Sequence, residues 1–301
     1  MKKNPNVIFK DGKFHVIVNG KTLARISSLK NAERMAVIAL NATKQADATA
    51  NSSPFSINDR FGFISELVRM VATKKASSAI VTGEGGIGKT HTVLSTLKKE
   101  GLRDFSLTAE HLSGGTQLAD RPGETFLVIK GYSTAKGLFR SLWENRNGLL
   151  VFDDCDSVFR DPAATNLLKA ALDTYDRRII SWNAETIGET DLPKTFEFKG
   201  GVVFVSNIPL DKLDQAVRSR SLCVDLSMTI KQKLERMQTL ITLPEFLPDH
   251  KMDHKKDAMA VVEQYHAEAK EVNLRTLIQV IIIRAGDEKN WRNLARYMLG
   301  Q

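Results

Sequence analysis

Over the first 45 residues, apolar and polar positions alternate in three short runs, VIFK, FHVIV and TLARI, separated by Asp11-Gly12 and Asn19-Gly20. A period of two broken by Asp-Gly and Asn-Gly predicts antiparallel strands joined by tight hairpin turns. The period then lengthens to that of a helix, opening at Ser27 or Ser28 and running through LKNAERMAVIALNA. Residues 1–45 thus read as a small α+β module of β-hairpins and a helix, with a core so small that a partner is expected to steady it. NATKQADATANSSPFS is short of large apolar side chains, and residues 46–56 read as a linker. From Ile57, INDRFGFISELVRMVATKK returns to helical spacing. Beyond it, unbroken apolar runs at 79–82, 125–130, 149–152 and 200–205 alternate with helical patterns. Such alternation predicts an α/β unit over 57–228, with a doubly wound parallel sheet. Residues 229–301 carry helical patterns alone, among them TIKQKLERMQTLI, DAMAVVEQYHAEA and WRNLARYML, and predict a C-terminal helical lid.

Composition narrows the class. With 42% hydrophobic residues the 301-residue chain buries a substantial core, and no apolar run is long enough to span a membrane. The start, MKKNPNVIFK, goes straight into strand-like sequence, so no signal peptide is expected. The two cysteines, Cys155 and Cys223, have no CxxC or His neighbours, which favours a reducing cytoplasm and no zinc site. Charge is concentrated at one end. Residues 1–45 hold nine basic and two acidic side chains, +7 of the net +8. A basic appendage is suited to phosphate backbones, with Lys13 and Arg25 as candidate contacts. This module also resembles the three-stranded arm-binding domains of phage integrases.

The sharpest chemical signal is GEGGIGKT, Gly83-Glu84-Gly85-Gly86-Ile87-Gly88-Lys89-Thr90, with His91 next. An apolar run precedes it and an amphipathic helix follows, the strand–loop–helix setting that a phosphate-binding loop requires. Glycines let backbone N–H groups curl round phosphate oxygens at a helix N-terminus, where the helix dipole adds positive charge. Lys89 is expected at the β- and γ-phosphates of ATP, and Thr90 on Mg²⁺. LLVFDD ends a buried run in two carboxylates, Asp153 and Asp154, which need a cation. Asp153 is the expected magnesium partner, and whether Asp154 does chemistry is an open question at this point.

Over residues 55–300 the chain resembles the AAA+ ATPases, with GEGGIGKT as Walker A, LLVFDD as Walker B, VVFVSN as sensor 1, LDQAVRSRS as the arginine-finger segment and NLRTL as sensor 2. The resemblance implies that Asn207 positions the attacking water. It also implies that Arg220, with Arg218 beside it, enters a neighbour's site, and that Arg275 contacts nucleotide from the lid. It makes Asp154 the candidate general base, and there the chain departs from the family, in which a glutamate is usual. The shorter side chain is expected to slow turnover.

Between Walker B and sensor 1, DRRIISWNAETIGETDLPKTFEFKGG predicts an extra hairpin. Such an insertion resembles that of AAA+ proteins acting on DNA, including superfamily-3 helicases. Arg178, Trp182 and Lys194 there, and Lys130 and Tyr132 in the loop after 125–130, combine cations with aromatics as single-strand grooves do. The sequence therefore predicts a cytoplasmic, phage- or bacterium-derived ATPase working as a homo-oligomeric ring or arc, a hexamer among the options. Its expected work is that of a nucleic-acid motor or replication-protein loader. A protein remodeller and a nucleotide-gated assembly switch with negligible hydrolysis are the alternatives, and no membrane partner is expected.

Overall fold

Apolar runs of four to six residues, with one two-residue edge strand, build the sheet of the α/β unit. In a computed structural model, which describes residues 6–18, 21–37, 53–107, 123–183, 192–286 and 289–300, they form one six-stranded parallel sheet. Its strands are β4 (Ser78–Thr82), β5 (Arg103–Asp104), β6 (Thr125–Lys130), β7 (Leu149–Asp153), β10 (Gly201–Ser206) and β11 (Leu222–Asp225), in the order β11-β4-β10-β7-β6-β5. Every residue of β4 and β7 is buried, as expected of a parallel sheet covered on both faces. Flanking helices include Ile57–Ala72, Lys89–Lys99, Ala135–Glu144 and Pro162–Ala171. Ser56 and Asp59 close the first with a capping box, and Asp161 caps the last ahead of Pro162 at its first turn. This is the α/β fold the alternating pattern predicted.

Several elements were not foreseen, the helix Pro162–Ala171 among them. The short edge strand β5 and the strand β11, which directly follows the arginine-finger segment, lie where apolar runs are brief. The expected hairpin is present as a separate two-stranded sheet, β8 (Ile179–Ser181) with β9 (Thr195–Glu197). Its tip, with Glu185, Glu189 and Asp191, lies outside the described residues, as does most of the expected linker.

The chain divides into two compact units, Phe55–Leu226 and a second drawn from Met1–Pro54 and Ser227–Gln301. Within the second, β1 (Val7–Lys10), β2 (Lys13–Val18) and β3 (Lys21–Ile26) form an antiparallel sheet. Asp11 and Gly12, at φ 53° and 73°, make the left-handed turn between the first two strands. Val16 packs on Ala32 and Ala36 of a helix over residues 29–37. The C-terminal part is four helices, Ile230–Ile241, Met252–Tyr265, Leu274–Gly286 and Trp291–Leu299, which share one core. No helix among the described residues is long and apolar enough to cross a membrane.

Candidate functional site

The phosphate loop leaves β4 at Gly83 and enters the helix Lys89–Lys99 through Gly88. Gly83, Gly86 and Gly88 have φ of 141°, 72° and 97°, a region that side chains resist. A Cβ on Gly83 would also press within 3.0 Å of Leu226 Cβ. The loop's shape therefore depends on its glycines. Glu84, Gly85 and His91 are exposed, whereas Ile87 is buried and anchors the loop.

Lys89 is 5% exposed, and its ammonium donates to Gly83 O (2.8 Å), Glu84 O (2.7 Å) and Asn207 Oδ1 (2.9 Å). Asn207, just past β10, in turn donates from Nδ2 to Asp154 Oδ1 at 2.8 Å. One amide thus ties the loop lysine to the second aspartate. Asp154 is an exposed residue at φ 55°, a strained position that aspartate and asparagine tolerate better than most. Asp156 accepts from Ser206 Oγ at 2.6 Å, which ties it to β10.

Asp153, 4% exposed at the end of β7, accepts from Thr90 Oγ1 at 2.7 Å and pairs with Lys130 Nζ at 3.1 Å. The parallel register sets Lys130 of β6 directly beside it. A cation for the buried carboxylate is therefore supplied by the chain itself, a role the sequence reading did not assign to Lys130. Only the β6–β7 pairing reveals it. Tyr132, two residues on, is 81% exposed. Directly after the two aspartates, Cys155 is buried and bonds to Ile129 O. Burial, and then the charges of Asp153, Asp154 and Asp156, push its thiol up to about 11.

The residues present fit a nucleotide with a divalent ion. The glycine cradle and Lys89 are suited to phosphates, and the adjacent oxygens of Thr90 and Asp153 to a hard cation. Among the described residues no group of three or more His, Cys, Asp or Glu side chains could hold a metal. Phosphate and water oxygens would complete the coordination.

The hairpin corrects two expectations. Arg178 is not presented to a strand. It donates to Ala171 O (2.9 Å) and Gly200 O (2.7 Å) and lies over the Phe198 ring, and burial lowers its pKa. Trp182 is half-buried, packed against Phe139 at 5.8 Å with its indole N–H buried, so its ring leans on the core and does not stand free as a stacking platform. The alternation of β8 and β9 turns these side chains inward with Ile180 and Phe196. Arg177 is paired with Glu197, while Lys194 remains exposed. Arg275, at the second position of the helix Leu274–Gly286, is exposed.

Arg220 and Arg218 lie at the other end of the sheet. Ser78, the first residue of β4, donates to Arg220 O at 3.2 Å, whereas the phosphate loop follows the last residue, Thr82. Four residue steps of strand amount to about 13 Å. The Arg220 side chain is occupied there, with Nη1 donating to Ala216 O and Nε 3.9 Å from Asp173 Oδ1.

No protein-family model matches the chain. It is 28% identical over 256 residues to an uncharacterized 36.7 kDa protein from the nrdC-mobD intergenic region of Enterobacteria phage T4, covering 79% of this chain and 73% of that protein. This accords with the expected phage source. Among solved structures it is similar to C. elegans PCH-2, with 14% identity and a TM-score of 0.41 over 81% of this chain and 67% of that one. It is likewise similar to Aeropyrum pernix ORC1 in complex with DNA, with 15% identity and a TM-score of 0.41 over 80% and 64%. The third, Brucella abortus NtrX in complex with ADP, has 14% identity and a TM-score of 0.38 over 89% and 55%. The chain thus spans roughly half to two thirds of those solved chains, and at these scores no residue role is carried over from them. In motif order the chain resembles the AAA+ ATPases, and the parallel sheet sets the phosphate loop after β4, Asp153 and Asp154 at the end of β7 and Asn207 just past β10, whereas NLRTL lies at the start of the helix Leu274–Gly286.

Proposed function

We propose that this chain is an AAA+ ATPase that hydrolyses ATP between head-to-tail copies of itself and uses the cycle to act on nucleic acid. The observation that carries the reading is the separation of Arg220 from the phosphate loop by the length of β4. An arginine at the opposite end of the strand does not reach its own nucleotide, so a role for Arg220 in hydrolysis would be at a second copy's site, and such heterologous contacts close into rings or run on as arcs. Lys89 would hold the β- and γ-phosphates, giving up carbonyl partners for them. Thr90 and Asp153 would hold magnesium, whose charge neutralises the phosphates. Asn207 would orient water towards Asp154, its hydrogen-bond partner, which would take the proton. Arg220 of a second copy would neutralise charge on the γ-phosphate, with Arg218 supporting it, and Arg275 would reach the nucleotide from the lid.

Nucleic acid is favoured as the substrate by the basic N-terminal module, where Lys10, Lys13 and Arg25 are exposed. Exposed Tyr132 and Lys194 are further candidate contacts. The role is that of a motor or a loader.

Complementation tests the shared site. Arg220→Ala should bind ATP normally but lose about 10³–10⁵ in rate, and Lys89→Ala should fail to bind ATP tightly. Mixing the two should restore activity, because an intact pocket then meets an intact finger. Full activity of Arg220→Ala together with specific activity independent of protein concentration would sink the reading.

A further inference from the structure

A cleft of about 470 Å³ opens at the starts of β4, β10 and β11, the far end of the sheet from the phosphate loop. Lys74, Lys75, Lys199 and Arg220 line it together with Asp173 and Asp176. Its floor is tight, because a Cβ on Gly201 would lie 2.7 Å from Val71 Cγ1.

Two features of this cleft are poor choices for stability alone. The first is Arg220, whose Nε–H is buried with no hydrogen-bond acceptor. The nearby carboxylate, Asp173, is 3.9 Å away and already accepts from Thr174 N at 2.8 Å. Asp173 therefore holds the guanidinium by charge without satisfying its donor, an arrangement that a doubly accepting oxyanion would improve on. The second is Lys74. It follows the C-cap Thr73 of the helix Ile57–Ala72 at φ 59°, with its N–H on Val71 O and that of Lys75 on Met70 O. Helix ends of this shape favour glycine, and a lysine there is strained. Neither Lys74 nor Lys75 forms an ion pair among the described residues.

We propose that Asp173 is a counter-ion latch on Arg220, released when the triphosphate carried by a second copy is drawn to the cleft by Lys74 and Lys75. The inference rests on the head-to-tail reading above and adds its regulation. In an isolated subunit Asp173 offsets the positive charge of the finger. A loaded neighbour supplies phosphate oxygens that satisfy the orphaned Nε–H, so Arg220 leaves Asp173 for them. Arg220 and Asp173 side chains are 32% and 26% exposed, so their pair is of the weak, screened kind that a polyphosphate overcomes.

The test is the ATPase rate of the full-length chain against its own concentration. Asp173→Asn, which keeps the acceptor for Thr174 N–H, should lower the concentration for half-maximal activity by about fivefold, the upper end for a partly exposed ion pair. Asp173→Ser carries the same expectation should the asparagine variant not fold. Lys74→Gly should raise the melting temperature, since the strain is removed, yet raise the half-activation concentration several-fold. A half-activation concentration unchanged or raised by the Asp173 variants overturns the latch, and one unchanged by Lys74→Gly overturns the attraction by lysine. If the parental chain has no concentration dependence and Arg220→Ala is fully active, the head-to-tail reading has failed, and the latch with it.

Discussion

Lys89, Asn207 and Asp154 form one hydrogen-bonded line, and each member limits what the others do. The ammonium has three protons and three protein acceptors, so a phosphate binds only by displacing some of them. Asp154→Asn keeps an acceptor for Asn207 and suits the left-handed backbone, so ATP affinity should be unchanged. Turnover should fall by about 10²–10⁴, the usual worth of a general base. Single-turnover hydrolysis alongside equilibrium binding measures both, and parental turnover would remove Asp154 from the chemistry. Lys130 invites a different measurement. Its ammonium shares Asp153 with Thr90, so it repels any divalent ion placed there. Lys130→Met should therefore lower the Mg²⁺ concentration needed for half-maximal ATPase by several-fold. An unchanged requirement would mean that Lys130 moves clear of the carboxylate before the ion binds.

At the scale of elements, what was legible in the sequence was what local pattern encodes. The strands β4, β7 and β10 and the loop at 83–90 were readable because apolar runs and glycine spacing are sequence-local. Side-chain direction in β8 and β9 was not. Arg178 and Trp182 look like contacts for a polyanion until the register sets Ile180 opposite Phe196 and turns that face to the core. The pairing of Lys130 with Asp153 depends on strand register, and that of Arg220 with Asp173 on residues 47 positions apart, so neither has a local signature. The correction makes its own prediction. Arg178→Ala leaves the carbonyls of Ala171 and Gly200 without their donor and should cost about 1.5–3 kcal/mol of stability. Lys194→Ala, an exposed change, should leave stability within about 0.5 kcal/mol. Denaturant titration of both variants decides the matter, and equal stability would return Arg178 to the surface.

At the scale of the whole molecule, charge is divided unevenly along the chain. Residues 1–45 carry +7 and the other 256 residues only +1, so the nucleotide machinery is nearly neutral and the appendage is not. Strand register sharpens this. Ile8 pairs with His15 and His15 with Arg25, while Lys10 pairs with Lys13, so all five share one face of the small sheet. The opposite face, with Val7, Phe14, Val16, Ala24 and Ile26, packs against the helix. Three permanent cations thus stand on an exposed sheet face beside a histidine, a surface whose charge is suited to phosphates and not to reading bases. If that face engages duplex DNA, each cation that neutralises a phosphate adds about 0.9 to the steepness with which log affinity falls against log salt. The double variant Lys13→Ala with Arg25→Ala should then lose about 1.8 from the slope and weaken binding alike on unrelated sequences. Its basal ATPase should be unchanged, because neither residue belongs to the nucleotide site. Affinity measured from low to moderate salt on two unrelated duplexes supplies the slope. A slope that matches the parental chain would show that the phosphates are held elsewhere. ATPase stimulation by unfolded protein but by neither single- nor double-stranded DNA would exchange the nucleic-acid reading for the remodelling of polypeptides.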